Sequence, residues 1–79
     1  MTVLLFASIA EKAGTRRLRV PLETGDTVAD VRERVVARYP QLQVAVPTLL
    51  YAVNEEYAKP GDPVEPGATV ALIPPVSGG

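Results

Sequence analysis

The sequence predicts an α+β domain in which one amphipathic helix packs across one face of a mixed sheet. Three observations carry that class. The two most apolar segments, "VLLFA" and "VALI", lie near opposite ends of a 79-residue chain. "TRRLRVPL" alternates apolar and polar residues with period two, and valines recur at helical spacing from Val28 to Val35.

Residues 2–8, "TVLLFAS", are rich in β-formers and apolar on both faces, as expected of a central strand covered on at least one side. A turn or short helical piece comes next, through Ala10 to Gly14. In residues 15–22, Leu18, Val20 and Leu22 alternate with Arg17, Arg19 and Pro21, the pattern of a half-buried strand that closes an antiparallel hairpin with the first. "ETGDT" breaks it. Thr27 and Asp30 then have capping-box spacing, so a helix starts there, with Val28, Val31, Val35 and Tyr39 on its buried stripe and Asp30 and Arg34 as an outward i,i+4 pair. Pro40 stops it near Tyr39. "TLLYAV" at 48–53 reads as a third strand, "NEEYAKPGDPVEPGA" as turns with one short edge strand, and "TVALIP" at 69–74 as the last strand. A hairpin, a crossing helix and later strands in this order fit the β-grasp, or ubiquitin-like, arrangement. Its first and last strands lie side by side in the middle of the sheet, which accounts for the two most apolar segments. The predicted division is a β-grasp domain over 1–74 and a flexible C-terminal tail over 75–79.

Composition removes most catalytic classes. A chain of this size buries only about 60–65% of its unfolded surface, enough for one modest core. With no cysteine and no histidine there is no thiol nucleophile, thiolate ligand or neutral-pH proton shuttle. The net charge of −1 provides no field for nucleic acid, and the apolar N-terminal run is too short to span a bilayer and lacks a preceding basic region. A cytoplasmic protein is expected, with no nucleic-acid or membrane partner and no metal. Glu55 and Glu56 read as a solvated turn, and Arg16, Arg17 and Arg19, without interleaved aromatics, as a solvated strand face. Tyr57 is the tyrosine least explained by packing and is assigned to an interface.

The closing "ALIPPVSGG" is the segment that chemistry singles out. Two terminal glycines arise by chance in about one chain in two hundred. The last strand runs straight into Pro74 and Pro75, and their fixed φ projects the final residues as a stiff, extended stem. Gly78 and Gly79 lack a Cβ, so their backbone can enter a channel too narrow for other residues. The reactive group is then the terminal carboxylate of Gly79, a poor electrophile until an activating reaction, commonly adenylation, makes its oxygen a leaving group. A partner supplies acids, bases and metal, and this chain supplies a delivered carbonyl.

"VLLFASIAEKAG", "AVNEEYA" and above all "PGATVALIPPVSGG" resemble the small subunit of molybdopterin synthase, the sulfur carrier of molybdenum cofactor biosynthesis, nearly end to end. That resemblance implies a cycle. An E1-like enzyme using ATP adenylates Gly79, sulfur converts the adenylate to a thiocarboxylate, and the tail enters the synthase large subunit to deliver sulfur to cyclic pyranopterin monophosphate, forming the dithiolene. It also implies a heterotetramer with two copies of each subunit, no cofactor held by this chain, and catalytic basic residues on the large subunit. Position by position, Gly79 matches the sulfur-bearing residue, Gly78 its slim neighbour, and Pro74, Pro75, Val76 and Ser77 the inserting stem. Phe6, Tyr57 and Ile73 match apolar interface positions; Tyr57 stands where the family has an aliphatic residue. Competing readings are the thiamin-pathway sulfur carrier, a protein modifier that forms isopeptides with lysine, and an interaction domain with an idle end.

Overall fold

The computed structural model describes residues 1–75. Val76, Ser77, Gly78 and Gly79 of the predicted tail lie outside the described residues. The elements are β1 (Thr2–Leu5), α1 (Ala7–Ala13), β2 (Arg17–Arg19), α2 (Val28–Arg38), a run of 3₁₀ turns (Pro40–Thr48), β3 (Leu50–Val53), β4 (Glu56–Ala58) and β5 (Thr69–Ile73). The five strands form one sheet in the order β2-β1-β5-β3-β4, with β1 and β5 parallel and every other neighbouring pair antiparallel. This is the predicted β-grasp, with the two most apolar segments paired at its centre. Among the described residues no helix is long and apolar enough to cross a membrane.

The four strands bounded from the sequence are all shorter in the structure, the first two markedly so, and Thr48 falls in the 3₁₀ run rather than in β3. The strand expected from the sequence continues to Ser8, but Ala7 takes φ +49°, a left-handed conformation that costs an L residue about 1 kcal/mol and turns the chain off the sheet. The strand therefore ends at Leu5 and α1 begins earlier than expected. Gly14, at φ +78°, closes α1, and its N–H donates to the Ala10 carbonyl. The second strand stops at Arg19, because Pro21 has no N–H to continue the ladder; Val20 still donates to the Met1 carbonyl. The segment at 40–48 carries no pattern that assigns it from sequence. It coils as 3₁₀ turns with Leu42 buried, and the Gln41 amide ties it to the Lys12 carbonyl at 3.0 Å.

Thr27 and Asp30 form the full capping box. The Asp30 N–H donates to Thr27 Oγ1 at 3.3 Å, and the Thr27 N–H donates to Asp30 Oδ2 at 2.8 Å. Closing this box turns the Asp30 carboxylate back over the helix end, so the expected Asp30–Arg34 pair does not form. Arg34 instead grips the buried Asp26 with both terminal nitrogens and reaches Glu23 at 3.5 Å. Val28, Val31 and Val35 face β1 and β5, where they bury Val3, Leu5, Val70 and Leu72. Tyr39 is only half-buried at the helix end.

Candidate functional site

With α2 on one face, alternation along the strands leaves the other face open. On it stand Leu4 of β1, Ala71 and Ile73 of β5, and Ala52 of β3, while Phe6 extends the row of β1. These are apolar residues on a face that in an ordinary two-layer domain would be polar. Ala52 and Ala71 are neighbours in register, and their short side chains make the floor of a groove of about 600 Å³. Phe6 and Leu4 wall it on one side and Tyr57, opposite Ala52 on β4, on the other. Phe6 is 44% exposed and Tyr57 82% exposed, unusually high for large apolar or aromatic side chains.

The β3–β4 hairpin closes one end of the groove. Asn54 and Glu55 have φ of 48° and 71°, a two-residue turn whose twist matches the strands it joins. The Asn54 N–H donates to the Thr69 carbonyl, and the Thr69 N–H donates to Asn54 Oδ1 at 3.0 Å, so the turn is held against β5 and Glu55 lines the groove. At the other end, Ile73 forms part of the wall and the chain passes into Pro74, half-buried, and Pro75, exposed. The stem thus leaves directly from the groove.

The three interface positions taken from resemblance, Phe6, Tyr57 and Ile73, come from strands far apart in sequence and line this one groove. Leu4, Ala52, Ala71 and Glu55 join them, and sequence reasoning missed all four. A signal is present: "VLLFA" and "VALI" are apolar at both odd and even positions, which requires a second covered surface. Arg17 and Arg19 are exposed as expected, and the register adds which face they take; Arg17 opposes Leu4 and Arg19 opposes Thr2, on the groove side. Glu56 pairs with Val53 on the edge strand and is exposed.

Chemistry internal to the groove is sparse. Among the described residues no cluster of acidic residues is arranged to hold a metal ion. The displaced ionisations lie outside the groove. Hydrogen bonds from Arg34, reinforced by the Glu23 N–H, hold the Asp26 carboxyl below the usual carboxylate range, and burial offsets part of that effect. Hydrogen bonding to Tyr51 raises Arg32, whose terminal nitrogen donates to the Tyr51 hydroxyl at 3.2 Å. Both networks brace α2 rather than present a proton to a substrate.

The sequence matches the ThiS family over residues 3–79. The chain belongs to that family. Among similar proteins, the molybdopterin synthase sulfur carrier subunit of Chlamydomonas reinhardtii is 37% identical over 79 residues, 98% of this chain and 95% of its own. The subunit of the same name from Homo sapiens is 32% identical over 80 residues, 98% of this chain and 91% of its own. Small archaeal modifier protein 1 of Haloferax volcanii is 36% identical over 83 residues, covering 95% of each chain. Its crystal structure matches this ThiS-family chain with a TM-score of 0.90 over 99% of this chain and 97% of the other, at 35% identity.

Proposed function

We propose that this chain is the sulfur-carrier subunit of molybdopterin synthase and is not itself a catalyst. The observation that carries the reading is the continuity of the open groove with the C-terminal stem: Ile73 is a wall of one and the origin of the other. A partner seated on the groove receives the residues beyond Pro75. End-to-end similarity to sulfur carriers supports the chemistry assigned to that tail.

In the proposed cycle the Gly79 carboxylate attacks the α-phosphate of ATP on an E1-like activating enzyme, releasing pyrophosphate and leaving an acyl adenylate. Sulfide-level sulfur from a donor attacks the acyl carbon and displaces AMP to give the thiocarboxylate. The stem at Pro74, Pro75, Val76 and Ser77, with the slim Gly78, then threads into the large subunit, where sulfur passes to cyclic pyranopterin monophosphate. Two deliveries complete the dithiolene, in a heterotetramer of two small and two large subunits that we place in the cytoplasm. Phe6, Tyr57 and Ile73 seat the partner.

The test is intact-mass spectrometry of the chain after incubation with activating enzyme, ATP and a sulfur source, with large subunit and pyranopterin added afterwards. An oxygen-to-sulfur mass increase that reverses as molybdopterin appears is expected. Loading without molybdopterin formation favours the thiamin pathway, and absence of loading refutes the carrier reading. Similarity to the Haloferax modifier supports one second reading, conjugation to lysine. It is distinguished by covalent adducts that survive thiol treatment and map to lysine side chains.

A further inference from the structure

The open face carries a size and charge pattern that is complementary to its own reverse. Strand register sets one cross-sheet row as Arg17, Leu4, Ala71, Ala52, Tyr57 from the β2 edge to the β4 edge. A second row runs Arg19, Thr2, Thr69, and then through the Asn54 hydrogen bonds to the hairpin turn that bears Glu55. A third holds Phe6, Ile73 and Leu50, with Phe6 placed beside Ile73 by its N–H donating to the Leu72 carbonyl. Ala71 and Ile73 sit on β5, the middle strand of the five.

We propose that a second copy of this chain covers this face, related by a two-fold axis that lies between the two sheets and parallel to β5. Such a rotation lays each row on itself in reverse, so the contact is isologous and closed. Ala71 and Ile73 meet their own counterparts near the axis. Leu4 projects over the second copy's Ala52, a large side chain into a shallow place, and Phe6 meets the second copy's Leu50. At the margins, Arg17 lies over the ring of the second copy's Tyr57, a cation–π arrangement, and Arg19 faces the second copy's Glu55. Among the described residues Arg17, Arg19 and Glu55 take part in no ion pair, and all three are exposed. Facing sheets pack about 10 Å apart, a gap that long arginine side chains at the margins can span.

The charge order favours a second copy over an arbitrary apolar partner, because in the row of Arg19 the base and the acid, Glu55, sit at opposite edges of the sheet. Self-pairing does not depend on the sulfur-carrier reading. It has a consequence for it: the self-paired face is the one that adjoins the stem, so self-association and partner docking exclude each other.

The test is sedimentation velocity of the whole chain from low micromolar to near-millimolar concentration. A monomer–dimer equilibrium that weakens as salt rises is expected. Arg19→Glu alone and Glu55→Arg alone each place like charges opposite one another twice per dimer and weaken association about tenfold. Mixing the two single variants restores it, since both margins of the mixed dimer are then oppositely charged, and the double variant associates like the parent. A chain that stays monomeric throughout, or a dimer indifferent to these changes, overturns the proposal. So does an Arg19→Glu variant that loses large-subunit binding while self-association is unchanged, which assigns the face to that partner.

Discussion

Truncating Tyr57 separates docking from folding. Fully burying an aromatic side chain of this kind is worth about 1.5–3 kcal/mol. With 82% of Tyr57 exposed, under a fifth of that value, about 0.5 kcal/mol at most, is engaged in the folded chain. The remainder, about 2 kcal/mol, is available to a partner that covers the groove and corresponds to about a 30-fold change in Kd. Tyr57→Ala should therefore weaken binding to the synthase large subunit by about that factor while shifting Tm by no more than about 4 °C. Isothermal titration calorimetry and a thermal melt on the same preparation read the two numbers. Val44→Ala is the control, since Val44 is 77% exposed on the 3₁₀ segment and is not a wall of the groove; both quantities should stay at their parent values. Unchanged affinity in Tyr57→Ala would refute the assignment of the groove as docking surface, and a large loss of stability would refute the exposure argument.

The same geometry sets other outcomes. Asp26→Asn should destabilise the chain at neutral pH. Because the folded-state pKa of Asp26 lies below its ordinary value of about 4, the aspartate contributes stability above that value and loses it as pH falls through the lowered one. The gap between parent and variant in urea melts should close in acid, and a gap constant with pH would show that the Arg34 contact is not its source. Thr27→Ala removes one half of the capping box and should cost about 1 kcal/mol, read as a lower urea midpoint with unchanged slope. Gly78→Val, in the tail, should leave the melting curve in place and slow sulfur loading through its added β-branched side chain, measured by intact mass over time. Normal loading would refute the narrow-channel argument.

Sequence alone determined what depends on neighbours along the chain. The Thr27–Asp30 cap, the Val28, Val31 and Val35 stripe, the Pro40 stop, the alternation around Leu18 and the apolar character of the end strands are all local patterns. Local patterns suffice to place a helix, several strands and the β-grasp class. Local patterns misjudged boundaries where a single backbone choice intervenes, as at Ala7 and Pro21. They also misassigned Arg34, because a carboxylate three residues into a helix serves its own N-terminus before it serves a side chain one turn on. Only the tertiary structure decided which residues share the groove. Phe6, Tyr57 and Ile73 become neighbours through the parallel register of β1 with β5 and the hairpin register of β3 with β4. A strand's sequence specifies which residues alternate, but which strand lies beside it, and at what offset, is settled by burying the whole apolar surface at once.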